Sequence, residues 1–211
     1  IMHNLTINLP VGFIPLGSTN WVARSLSMPL LINNAVKKII KGNVTPIDVG
    51  IINDKHVFLL AACFGKIAQV SINPTRKEKK KLGFWAYTKQ LPLLLTKYPT
   101  LKFYVKSKGK RKAMSAHSLL IINHLNIHKL KPQRSISYND GKLHYFVMKN
   151  RTWKGLIQAA FDLYFRTTDS KKLKYKEMTE LTITKHQFSS QLHLDGDKIK
   201  RIEGPIKVRV I

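Results

Sequence analysis

Acidic side chains are scarce in this chain: 11 Asp and Glu stand against 37 Lys and Arg in 211 residues, a formal charge of +26. Such a surface seeks polyanions, either an anionic membrane or nucleic acid, unless its basic residues are only solvated. Cysteine is nearly absent. Cys63 alone cannot close an internal disulfide, which excludes a disulfide-framed scaffold and fits a reducing, cytoplasmic setting; inside an apolar run, it reads as core packing. Long apolar runs are missing as well. The best, Val57 to Phe64, falls far short of the roughly 20 residues a membrane helix needs, and the residues from Ile1 onward do not pair a basic head with an apolar core as a cleavable signal would, although a truncated beginning would hide one. No repeat, heptad pattern or low-complexity tract occurs. His124 and His128 have an i, i+4 spacing but lack the Glu of a zinc protease helix, and no Ser-His-Asp or Cys-His arrangement can be defended from spacing.

What is present is long enough for one sizeable core, or for one full domain plus a remnant. Val11 to Pro15 reads as a strand, Asn20 to Leu26 as a short helix stopped near Pro29, and Ile32 to Lys41 as an amphipathic helix with Ile32, Ala35, Val36, Ile39 and Ile40 on one face, closed by Gly42. From Thr45 the character turns to strands. Pro46 to Asn53 and His56 to Phe64 form a hairpin about Asn53-Asp54-Lys55; Leu101 to Ser107 and Ala113 to His124 form another about Lys108-Gly109-Lys110. Further strands are expected at Leu143 to Lys149, Met178 to Thr184, Gln187 to Leu194 and Ile206 to Ile211, with helices at Leu82 to Lys97 and Thr152 to Phe165. Lysine and arginine cluster at Arg76 to Lys81, Lys106 to Lys112, Lys171 to Lys176 and Lys198 to Arg201.

Chemistry concentrates in three places. Pro15-Leu16-Gly17-Ser18-Thr19-Asn20-Trp21 is an apolar run followed by a small polar turn and a helix, where backbone N–H groups and the helix dipole favour an anion such as phosphate; Gly17 permits close approach, Ser18, Thr19 and Asn20 cap or donate, and Arg24 lies one turn further on. Asn139-Asp140-Gly141 reads by itself as a plain type I′ or bulged hairpin turn. Asp195-Gly196-Asp197 sets two carboxylates around a glycine.

The segment PLGSTNWVARSL resembles the PLGTxNDxARxL segment of the diacylglycerol kinase and bacterial lipid kinase family, and ThrProIleAspVal at 45–49, PheLeuLeuAlaAlaCysPheGly at 58–65, LeuGlyPheTrpAlaTyr at 82–87, the Asn139 turn and the Asp195 turn resemble that family in order. The resemblance implies an α+β fold: residues 1–44 as the remnant of an α/β nucleotide-binding catalytic domain, and 45–211 as a β-sandwich-like second domain with two helices. It implies an ATP- and Mg²⁺-dependent transfer of phosphate to a lipid hydroxyl at an anionic membrane surface, by a cytoplasmic, peripherally bound enzyme, with a homodimer compatible. Gly17, Ser18, Thr19, Asn20 and Arg24 would border the nucleotide, Asp195 would act as general base with Asp197 assisting, and Asp140 would bind a structural Mg²⁺ with carbonyls of Ser137 and Lys142. Trp21 stands where the family commonly carries Asp, and Asp197 where it carries Glu. The family's Gly-Gly-Asp-Gly-Thr phosphate loop is not in the chain, so the resemblance implies a fragment that lacks the rest of its nucleotide domain and is inactive alone. Two rivals stand beside it: a non-catalytic basic module for anionic lipid or nucleic acid, and a related kinase acting on NAD or a sphingoid base.

Overall fold

A computed structural model describes residues 10–17, 20–65, 68, 100–107, 110–124, 137–149, 173–184, 192–199, 202 and 204–211. The expected helices at Leu82 to Lys97 and Thr152 to Phe165 lie outside them. Two helices come first, α1 (Trp21–Ser25) and α2 (Ile32–Ile40), and strands follow. Lys41 caps α2 and Gly42 (φ 70°) turns the chain away, its N–H donating to Ile39 O at 2.9 Å.

The strands are β1 (Gly50–Ile52), β2 (His56–Phe58), β3 (Ala61–Gly65), β4 (Leu101–Ser107), β5 (Lys110–Ala116), β6 (Ser118–Ile122), β7 (Leu143–Met148), β8 (Leu173–Met178), β9 (Glu180–Thr184), β10 (Leu192–Leu194), β11 (Asp197–Ile199) and β12 (Ile206–Val210). They form two six-stranded sheets, ordered β2-β1-β12-β9-β4-β5 and β11-β10-β3-β6-β7-β8, with every described pairing antiparallel. One apolar core draws on both: Ile52, Phe58, Phe103, Leu181 and Val208 from the first, Phe64, Leu119, Tyr145 and Leu194 from the second. In the first sheet, exposed residues alternate with core residues, as along Ile206–Val210. In β6, β7 and β10 of the second every residue is buried, so both faces of its middle are covered.

Two expected strands prove to be two strands each. The run 56–64 bends at Leu59 and Leu60, placing β2 in the first sheet and β3 in the second, and 113–124 crosses at His117 between β5 and β6; the expected strand at Met178 to Thr184 is β9, and Thr179 parts it from β8, which was not expected. Apolar periodicity continues through a corner because both strands feed one core, so the pattern itself does not mark the crossing. Val11 to Pro15 takes no strand partner among the described residues, and Val11 (58%) and Ile14 (48%) are exposed. Only Ala35 of the expected α2 face is fully buried; Ile40 is 78% exposed, because no described residue covers that side.

Candidate functional site

The β10–β11 hairpin pairs Leu194 with Asp197, leaving Asp195 and Gly196 as its two-residue turn. Both take positive φ, 52° and 97°, the conformation of a type I′ turn, which Asp-Gly adopts at low cost. Asp195 as a residue is exposed, yet its carboxylate turns inward onto the β2–β3 corner. Oδ2 accepts the Leu59 N–H at 2.7 Å, and Oδ1 accepts those of Leu60 and Ala61 at 2.8 and 2.9 Å. Its own N–H donates to Ala61 O at 2.9 Å. Burial of the carboxyl group, with the charge of Asp197 beside it, raises its pKa above the usual carboxylate range against the opposing pull of the three amides. That is the direction a general base at neutral pH requires. Asp197 is exposed at the start of β11.

A polar hub at the end of β6 ties this corner to the helices. The Asn123 side-chain amide donates to Leu59 O at 2.9 Å and to Asp48 O at 2.7 Å, while its N–H donates to Leu60 O at 2.8 Å. Next in the chain, fully buried His124 meets Ser25 Oγ of α1 through Nδ1 at 2.6 Å. Burial pushes the His124 pKa down to about 4, opposed by the charge of Asp48, so the ring is neutral near neutral pH. The zinc spacing with His128 therefore gives way to a helix-anchoring contact; His128 lies outside the described residues, and among those residues no three His, Cys, Asp or Glu side chains group for a metal.

Asp48 organises the second acidic loop. Its Oδ2 accepts the N–H groups of Asp140 and Gly141 at 2.8 and 2.7 Å, and its own N–H donates to Tyr138 O at 2.7 Å. Of Asn139, Asp140 and Gly141 only Gly141 has positive φ (66°), which departs from the two positive φ values of a type I′ turn and leaves the bulged form, and Asp48 ties the loop down. The Asn139 N–H donates to Ser137 Oγ at 3.2 Å. The Asp140 carboxylate accepts the Lys142 N–H at 3.0 Å and lies 3.2 Å from His144 Nε2. His144 Nδ1 meets Tyr175 OH at 2.8 Å; that hydroxyl donates to Glu177 at 2.6 Å, and Lys142 Nζ closes on Glu177 at 3.0 Å. The Tyr175 hydrogen bond, then that of Lys142, lowers the Glu177 pKa.

At the other end of the hub, Asn20 occupies the N-cap position of α1 at φ 51° without a side-chain cap bond, correcting its expected capping role. Its Oδ1 instead folds over Gly17, where an added Cβ would lie 3.1 Å from it. Arg24 is exposed in the last turn of α1, its N–H bonded to Asn20 O at 2.9 Å. Ser18 and Thr19 lie outside the described residues. A bonded path thus runs from α1 through Ser25, His124, Asn123 and the 59–61 corner to Asp195, with Asp48 and the Asp140 loop attached at its middle. Of these, Ser25, Asp48, Asn123 and His124 were not legible as site residues, although Asp48 carried a signal: one of few acids, set in an apolar stretch.

The diacylglycerol kinase catalytic domain family matches residues 1–52, which include the Gly17 turn, α1 and Asp48. A diacylglycerol kinase of Staphylococcus epidermidis is 39% identical over 77 residues, covering 36% of this chain and 24% of that protein. The diacylglycerol kinase of Bacillus subtilis is 27% identical over 195 residues, covering 89% of this chain and 62% of its own length. The crystal structure of a diacylglycerol kinase from Bacillus anthracis shares the fold, with TM-score 0.67 and 23% identity over 94% of this chain and 64% of that one. The match thus spans between a quarter and two thirds of each relative. The class defined is an α+β chain with two antiparallel sheets whose helical start carries a lipid-kinase segment. Its first 52 residues match the diacylglycerol kinase catalytic domain family, and over most of its length the chain is similar to diacylglycerol kinases.

Proposed function

We propose that this chain supplies the β-rich half, and the adjoining edge of the nucleotide-binding unit, of a lipid kinase that moves the γ-phosphoryl group of ATP onto the hydroxyl of a diacylglycerol-like lipid. The observation that carries it is the bonded path joining α1, with Asn20 and Arg24, to Asp195. In this reading Gly17, Asn20 and Arg24, with Ser18 and Thr19, border the phosphates. Asp195 accepts the proton of the lipid hydroxyl as its oxygen attacks the γ-phosphorus and ADP leaves. A carboxylate has about four acceptor sites. The corner amides take two on Oδ1 and one on Oδ2, leaving a lone pair on Oδ2 for the proton.

Mg²⁺ would be held by the Asp140 carboxylate with carbonyls of Ser137 and Lys142, where its charge would hold the loop in shape. The exposed Leu16, Leu31, Ile40 and Val44 fit a packing surface for the half of the nucleotide domain that carries the phosphate loop. The chain alone is expected not to turn over, since without that loop the phosphates are not positioned.

The test fuses this chain behind the part of the Bacillus subtilis relative that precedes its match, and follows transfer of label from ATP to diacylglycerol in mixed micelles. Transfer is expected, and Asp195→Asn lowers kcat by about 10²- to 10⁴-fold with the KM for ATP unchanged. A folded Asp195→Asn fusion that turns over like its parent removes Asp195 from the chemistry.

A further inference from the structure

Directly paired residues in an antiparallel sheet project from the same face, and the register of the first sheet sets a row of cations across four strands. Arg111 on β5 pairs with Lys106 on β4; Lys106 pairs with Thr182 on β9, and Thr182 with Lys207 on β12. Arg111, Lys106 and Lys207 are all exposed. This is the face opposite the core, since Phe103, Val105, Ile183 and Val208 occupy the alternate positions. Lys102, two same-face positions away on β4 beyond Tyr104, extends it.

The only acid the register sets on this face among the described residues of β4, β5, β9 and β12 is Glu180, directly across from Arg209, whose guanidinium is engaged by Asp54 at 2.9 Å. The row itself is therefore uncompensated by any carboxylate paired with it.

The make-up of the face decides between polyanions. Lys106 and Lys207 stand two strands apart, about 10 Å, on the outer side of the sheet. Single-stranded nucleic acid is gripped by aromatic platforms that stack bases. Among the described residues of β4, β5, β9 and β12 the one aromatic on this face is Tyr104, and its ring is already covered by the Arg111 guanidinium at 4.1 Å.

We propose that this outer face of the first sheet is the membrane-docking surface, seating the protein on a bilayer rich in anionic phospholipid through Lys106, Arg111 and Lys207. The proposal rests on the lipid-kinase reading for its biological sense, but adsorption needs neither nucleotide nor turnover. Each cation near an anionic bilayer strengthens binding about tenfold at most, and three removed together weaken it by about a hundredfold.

The experiment is cosedimentation of the full chain with vesicles of phosphatidylglycerol and phosphatidylcholine, against vesicles of phosphatidylcholine alone. Lys106→Gln, Arg111→Gln and Lys207→Gln are combined in one variant. A second variant, Lys37→Gln, Lys38→Gln and Lys41→Gln, removes the same charge from α2. The expected result is binding to the anionic vesicles only, lost about a hundredfold in the sheet variant and changed less than about fivefold in the helix variant. Equal losses in the two variants would assign adsorption to net charge and overturn the proposal. So would a sheet variant that loses affinity for a single-stranded oligonucleotide while still binding vesicles, which identifies nucleic acid as the partner. Because no ATP is present, vesicle binding as expected beside a folded fusion that transfers no label from ATP refutes the kinase reading and leaves this surface standing.

Discussion

Acidification through the histidine range tests the Ser25–His124 contact. His124 is fully buried and neutral, with a folded-state pKa of about 4 against 6.5 when free. A depressed pKa means the unfolded chain binds the proton more readily, so stability is fully present above about pH 6.5 and is lost as pH falls toward the folded value. The linkage integral gives a loss of about 2 kcal/mol by pH 5 and about 3 kcal/mol once pH is below 4. For a chain of this size about 2 kcal/mol corresponds to a fall of about 4–8 °C in Tm. The assay is urea unfolding, read by tryptophan fluorescence, in a series from about pH 7 to pH 5, on the parent and on His124→Asn, which removes the titration. Burial also lowers the His193 pKa, so the parent's slope is not due to His124 alone; the difference between the two curves isolates it. The variant is expected to be weaker near neutrality yet to lose about 2 kcal/mol less on acidification. Parallel curves for parent and variant would refute the assignment of a buried, neutral His124.

Two further outcomes follow from the core. Gly50 pairs directly with Phe58, and a Cβ added at Gly50 would collide with the Phe58 ring, so Gly50→Ala is expected to cost about 1–3 kcal/mol in urea unfolding, and an unchanged midpoint would show that β1 and β2 do not meet in this register. Burial, then the nearby charge of Asp195, pushes the Cys63 thiol up to about 12 from 9.0; although the residue is partly exposed, its thiolate fraction near neutrality falls about a thousandfold, so native protein should react with a disulfide reagent correspondingly more slowly than urea-unfolded protein, and equal rates would contradict that environment.

Much of the strand content was legible from alternation and turn residues: Leu101–Ser107 and Leu143–Met148 fall where the pattern places them, and Asn53 and Asp54 take the positive φ (50° and 52°) of the expected turn. The corners were not. At Leu59 and Leu60 the chain leaves one sheet for the other because a carboxylate 135 residues away in sequence from Leu60 accepts the amides that a continuing strand would have given to its neighbour. No local window contains that cause. The same reason hid Ser25 and His124, 99 residues apart, each unremarkable alone. The acidic turns stood out because carboxylates are rare here, but their partners are peptide groups, which every residue has and no motif records.

Asp195 raises a question of principle, since a carboxylate that fixes a chain corner is often taken as structural and therefore not chemical. The two roles need not compete. A general base works best when its free lone pair is held in one direction before the substrate arrives, because reorientation at the moment of transfer adds to the barrier. Three amides on two oxygens hold the carboxylate in place and leave a single lone pair on Oδ2. The amides alone would make it a poor base by favouring the charged form, but burial and Asp197 act in the opposite direction and prevail. In the proposed reading, moving the second acid would therefore alter the base strength of the first without touching the corner: Asp197→Asn removes a negative neighbour, and the acidic limb of the fusion protein's kcat profile should shift to lower pH while the urea midpoint stays put. A shift in the midpoint without one in the limb would make the pair structural only.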